Sequence, residues 1–177
     1  YNPSGKLTMS FPRNVGQVPV YYNFKNTGRP STSIEQVTNS GYADVENSPL
    51  YSFGYGLSYT EFKYSDFEIS SSTMTKDSKI NASIRVTNTG NYKGEEVVQL
   101  YLRDIVGSIA RPMKELKGFE KIELNPGESK IVNFEIENSL LEFYSYNNVW
   151  ESEPGKFHVF IGTDSNVRDH KEFYLTN

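Results

Sequence analysis

The feature that most constrains this chain is an alternation of period two. Ile80, Ala82, Ile84 and Val86 occupy every second position, with Asn81, Ser83, Arg85 and Thr87 between them. Such a run buries one face of a strand and wets the other, a spacing that does not make the apolar stripe of a helix. The device recurs. Val98, Leu100 and Leu102 alternate with Gln99, Tyr101 and Arg103, which the pattern sets on the opposite face. Val132, Phe134 and Ile136 make a further run, and Phe157, Val159 and Ile161 face one way in "KFHVFIG". "FKYSDFEIS" supplies Phe62, Tyr64, Phe67 and Ile69, and "KEFYLT" reads as a last strand closing the sheet edge. "MKELKGFEKIEL" is a weaker strand anchored by Leu116, Phe119 and Ile122, with Gly118 a candidate bulge where the spacing slips. Pro126 and Gly127 suit a type II turn, and Pro154 with Gly155 repeats the device. Only "ENSLLEFYS" reads as a single helical turn, capped by Asn138 or Ser139.

About seven short strands bounded by turn residues predict an all-β fold, a fibronectin type III-like or immunoglobulin-like β-sandwich. Residues 61–177 carry this texture, whereas residues 1–60 are rich in Tyr, Asn, Gly, Pro and Ser and hold neither period over a useful length. A structureless stretch that long is unusual inside a compact domain, so it is expected to be an irregular extension that belongs to a larger body or wraps over a neighbour. The opening "YNPSGKL" also lacks the basic and then apolar pattern of a secretory signal, and reads as an internal stretch of a longer chain.

Charge and composition narrow the function classes. The net charge of -4 with mixed signs gives no basic field for nucleic acid or an anionic membrane surface. Apolar runs fall well short of the roughly 20 residues a spanning helix needs. With no cysteine, disulfides, thiolate metal sites and a Cys nucleophile are excluded.

Five stretches, taken in order, carry a resemblance: "YNPSGKLTMSFPRNVGQVPVYYNFKNTGRP", "PLYSFGYGLSYTEFKYSDFEIS", "VTNTGNYKGEEVVQLYLRD", "RPMKELKGFEKIELNPGESKIVNFEI" and "EPGKFHVFIGTDS". Together they resemble the carboxyl-terminal part of glycoside hydrolase family 3 enzymes, above all bacterial periplasmic β-glucosidases. The resemblance implies that residues 1–60 are the tail of a preceding α/β domain with its linker, and that residues 61–177 are the fibronectin type III-like domain. It also implies a parent that is a retaining glycosidase acting on terminal β-linked sugars, periplasmic or secreted. That chemistry needs two carboxyl groups about 5 Å apart. In the family both lie upstream of the region matched here, so no residue of this chain inherits a catalytic role and the chain alone is expected to be inert. No cofactor and no metal are implied. The partners implied are the upstream catalytic domains of the same chain and, through them, a β-linked oligosaccharide.

The aromatic excess offers two readings. Tyr21, Tyr22, Tyr51, Phe53, Tyr55, Tyr59 and Trp150 are candidate interdomain or sugar-contact residues, joined by Tyr144 and Tyr146 on the sugar-binding reading. Tyrosine and tryptophan rings stack on sugars, and equally fill a half-wet seam where glycine permits close approach. The crowding of Tyr51, Phe53, Tyr55, Leu57 and Tyr59 around Gly54 and Gly56, where the two textures meet, favours the seam. Left uncovered, such a surface favours self-association. The pairs Glu95 with Glu96 and Glu151 with Glu153 read as solvated rim charge. Asp164, Asn166 and Asp169 lack the glycine of a calcium loop and read as a polar hairpin tip. His158 and His170 read as unpaired, the sequon at Asn81 as coincidence, and Arg29 matches no motif that would assign it a role.

Overall fold

The computed structural model describes residues 1–27, 41–42 and 44–177, so Arg29 lies outside the described residues. The regular elements are β1 (Phe62–Ile69), β2 (Thr73–Thr75), β3 (Ile80–Asn88), β4 (Gly94–Asp104), β5 (Glu115–Leu124), β6 (Ser129–Ile136), α1 (Asn138–Leu141), β7 (Phe143–Tyr144), β8 (Trp150–Glu151), β9 (Gly155–Gly162) and β10 (Lys171–Thr176). A three-stranded sheet of order β1-β3-β6 faces a five-stranded sheet of order β2-β10-β9-β4-β5, while β7 and β8 form a separate hairpin. The chain is therefore an all-β sandwich, and the seven strands expected from the alternation are all present. No described helix is long and apolar enough to cross a membrane.

The core is the product of that alternation. Ile80, Ala82, Ile84 and Val86 of β3 and Val132, Phe134 and Ile136 of β6 meet Val98, Leu100 and Leu102 of β4 and Phe157, Val159 and Ile161 of β9, all buried. Each of these side chains other than that of Ala82 contributes about 1.5–3 kcal/mol of burial. Phe157 stacks on Phe173 of β10 with centroids 5.3 Å apart. At the turn between β5 and β6 the Glu128 amide donates to the Asn125 carbonyl at 3.0 Å, and Gly127 takes φ 76°, the geometry a type II turn demands.

Several details depart from the sequence pattern. Phe119 is not an anchor: it is 69% exposed, because β5 turns Gly118, Ile122 and Leu124 inward and a register slip beside Gly118 separates Leu116 from them. "KEFYLT" does not end the sheet, since the parallel strand β2 pairs beyond it. α1 follows Glu137 as its N-cap residue rather than Asn138 or Ser139. The largest departure is on β4, whose second face is not wet. Gln99 and Tyr101 are 3% and 0% exposed.

Candidate functional site

What covers that second face of β4 is the segment preceding β1. The chain passes over the five-stranded sheet twice, and the passes are tied to each other by an isolated bridge between Phe11 and Tyr51 and by bonds from the Leu7 amide to Tyr55 and the Gly54 amide to Leu7. Gly54 makes the contact with β4. Gln99 Nε2 donates to the Gly54 carbonyl at 3.1 Å and to the Thr163 carbonyl at 2.6 Å, while the Tyr101 hydroxyl donates to Gln99 Oε1. A Cβ on residue 54 would crowd the Gln99 amide, and the residue holds φ 82°, so any other residue there is penalised.

Rings complete the seam. Tyr22 stacks on Phe53 with centroids 4.2 Å apart and meets Tyr101 edge-on at 6.0 Å. Its hydroxyl accepts a bond from the Leu116 amide at 3.2 Å. Polar anchors pin the first residues to the end of β4. Glu96 is not rim charge: it is 4% exposed, paired with Lys6 at 3.0 Å and bonded by the Tyr64 hydroxyl at 2.9 Å. Burial and then the Glu96 charge push the Tyr64 pKa well up. Glu95 accepts from Lys121, Ser4 and Tyr1, which holds its carboxyl below the ordinary range, the Lys121 bond contributing most.

The other face of the segment is bare. Phe11, Tyr51, Tyr55 and Leu57 line an open apolar groove of about 500 Å³ with Lys6 and Leu7. Leu57 is 72% exposed and Tyr51 42%, while Tyr51 and Tyr55 lean together at 5.1 Å. Tyr21 and Tyr59 are exposed and stand apart from the stacked rings. Trp150 lies on the β7–β8 hairpin, 69% exposed, edge to face with Tyr144 at 68°. The structure thus brings Tyr22 and Phe53 together, and Tyr51 with Tyr55, but keeps Trp150 on a separate element.

Other polar groups also differ from the sequence reading. Lys114 bridges to the Ser165 and Val167 carbonyls over the Phe160 ring, and burial lowers its pKa to about 8. Asp164 accepts from the Asn166 amide at 2.7 Å, the geometry of a polar turn. Glu151 is engaged by Ser145 and Asn147, and Glu153 by the Ser108 amide. The two histidines are not unpaired: His158 and His170 stack beside Glu172. Sequence reasoning missed Gln99, Lys6 and Lys114 as parts of the seam. Only the inward phase of Glu96, shared with Val98 and Leu100, signalled that a buried carboxylate there needs a cation.

Comparison with known proteins places this geometry. Residues 96–165 match the family described as fibronectin type III-like domain. The chain is 55% identical over 166 residues to a periplasmic β-glucosidase of Salmonella typhimurium, covering 93% of this chain and 22% of that protein. It is 41% identical to a β-xylosidase of Formosa agariphila, covering 99% of this chain and 23% of that one. The crystal structure of a β-glucosidase from Listeria innocua in complex with glucose superposes with a TM-score of 0.89 at 42% identity, over 99% of this chain and 25% of that chain. The chain thus spans about a fifth to a quarter of the length of the proteins it matches.

Proposed function

We propose, for a chain that belongs to the β-glucosidase-type glycoside hydrolases of family 3, the role of a non-catalytic accessory region that braces the catalytic domains of a longer enzyme. On this reading the parent hydrolyses terminal β-linked sugars. Residues 1–60 are the tail of the preceding domain with its linker, and residues 61–177 are the sandwich that caps it. The observation that carries the proposal is the two-sided segment: one face locks onto β4 through Gly54, and the other offers the bare groove of Phe11, Tyr51, Tyr55 and Leu57. An apolar groove continuous with a docked linker suits a neighbouring domain of the same polypeptide. In the isolated chain the same groove favours self-association. A periplasmic or secreted location for the parent is supported by the name of the Salmonella relative.

The test has two arms. The isolated chain should release no nitrophenol from aryl β-glucosides or β-xylosides above buffer, and release would overturn the reading. In the full-length enzyme Leu57→Asp should lower the temperature of half-inactivation, while leaving the melting of the isolated chain unchanged because Leu57 is exposed there. An equal effect in both, or none in either, counts against a brace.

A second reading is a carbohydrate-binding surface, favoured by the exposure of Trp150, Tyr144 and Tyr146 on and beside one hairpin. Titration with cello- or xylo-oligosaccharides, followed by Trp150 fluorescence, separates the two: saturable millimolar binding supports the module.

A further inference from the structure

β9 and β10 are antiparallel neighbours, and their register sets His158 directly opposite Glu172. His170 precedes Glu172 by two residues, so the alternation of side chains brings it to the same face. The imidazoles stack with centroids 4.2 Å apart and planes within 17°. Both turn Nε2 toward one carboxylate oxygen: His158 Nε2 lies 3.0 Å, and His170 Nε2 3.9 Å, from Glu172 Oε1. The three ligand atoms all fall within 4.8 Å of one another. Around a tetrahedral zinc ion with bonds of about 2.0–2.2 Å, ligand atoms stand about 3.4 Å apart, within reach of a small rotation of these side chains.

We propose that His158, His170 and Glu172 form a binding site for a first-row transition-metal dication of the zinc class. The surrounding contacts prepare His170 and Glu172, whereas His158 Nε2, which donates to Glu172 Oε1 at 3.0 Å, must give up that proton as the metal binds. His170 Nδ1 lies 3.1 Å from the Arg168 carbonyl, a contact that requires an N–H, so in the neutral ring Nδ1 carries the proton and Nε2 offers its lone pair. Lys156 occupies the other carboxylate oxygen, donating to Glu172 Oε2 at 2.9 Å and leaving Oε1 to the histidines. The side chains of Glu172 and His170 are 44% and 36% exposed, which leaves room for water to complete the coordination. Arg103, the β4 residue paired with His158, and Lys156 oppose a bare positive charge. Binding must therefore rest on imidazole bonds, which favours zinc, copper and nickel over the oxygen-seeking magnesium and calcium.

The site has a structural purpose independent of the proposed brace. It would tie the β9–β10 loop back onto β9, and that loop receives Lys114 at the Ser165 and Val167 carbonyls and donates its Ser165 amide to Phe53. A metal here fastens the loop on which the aromatic segment rests.

Isothermal titration of the metal-free chain with Zn²⁺ tests the proposal. The expected result is saturable one-to-one binding in the micromolar range, with no heat from Mg²⁺. His170→Ala and His158→Asn should each weaken binding about tenfold or more. The Zn²⁺-dependent rise in melting temperature should disappear with them, while metal-free melting and the far-ultraviolet circular dichroism show that each variant still folds. Absence of saturable Zn²⁺ binding, or binding that survives in the folded double variant, overturns it.

Discussion

The sandwich and the segment that precedes it are held by different physics. Every described hydrophobic residue that is fully buried lies between Phe67 and Leu175, whereas the buried residues before β1 are Ser10, Gln17, Gly54 and Thr60. The sandwich is stabilised by area removed from water, spread over many side chains. The segment is stabilised by a few directed bonds and half-buried rings, and its apolar surface is left over for something else. Burial of the first kind makes a cooperative unit; anchoring of the second kind makes a part that can be released while the unit stands.

The sharpest way to break this distinction is to empty the core. Phe157→Ala removes a ring that is 2% exposed and stacked on Phe173, and should cost about 3–5 kcal/mol. Urea unfolding should show the whole domain losing that amount in one transition. A cost below about 1 kcal/mol would mean that the sandwich does not hold together by packing.

A smaller and more local loss is expected at the seam. In Gly54→Ala the new methyl meets Gln99 and the residue keeps an unfavourable positive φ, a penalty of about 1–3 kcal/mol. The penalty should appear as protease cleavage before Tyr51, leaving a resistant core with nearly the parent melting temperature. If instead the global melting temperature falls as far as in Phe157→Ala, the two regions are one cooperative body.

Acid should loosen the anchor of the segment's first residues through Glu95. Glu95 has a folded pKa below its ordinary 4.5, so its favourable contribution is fully present above that value and is lost as pH falls through the lower folded one. Below pH 4.5 the Leu7 amide, bonded to the Tyr55 carbonyl, should lose protection relative to its intrinsic exchange rate at that pH, while the amides of β3 keep theirs. Glu95→Gln should abolish that pH dependence.

The same contrast explains what could be read from the sequence. The core faces of β3, β4, β6 and β9 were legible because burial on one side writes a period of two into the residues. Phe119 misled because Leu116, Phe119 and Ile122 are spaced by three and cannot share one face of a regular strand: the alternation that turns Ile122 and Leu124 inward sets Phe119 outward, and the slip beside Gly118 takes Leu116 out of that phase. β2, β7 and β8 are too short for any period to register. The covering of Gln99 and Tyr101 was not legible, because a polar residue on an outer face looks the same wet or dry until the partner is known. The meeting of His158 with His170 depends on the β9–β10 register, which a turn of uncertain length does not reveal. Glu96 is the instructive case. Its phase set it inward, yet its neighbour Glu95 made the pair look like rim charge, and only the distant Lys6 and Tyr64 account for its burial.

Trp150 gives the smallest effect and the finest test of the comparison. It belongs to the sandwich by sequence position, but its ring is 69% exposed and touches Tyr144 edge-on, so it resembles the seam rather than the core. Removing a ring from that environment takes away little buried area, and Trp150→Ala should change unfolding free energy by about 0.5 kcal/mol or less. A cost approaching that of Phe157→Ala would show that the β7–β8 hairpin shares the cooperative core. The expected null in stability gives the variant its second use. If oligosaccharide quenches the parent fluorescence and calorimetry finds binding lost in Trp150→Ala, the hairpin is a sugar surface. If neither occurs, the sugar-surface reading of the hairpin fails.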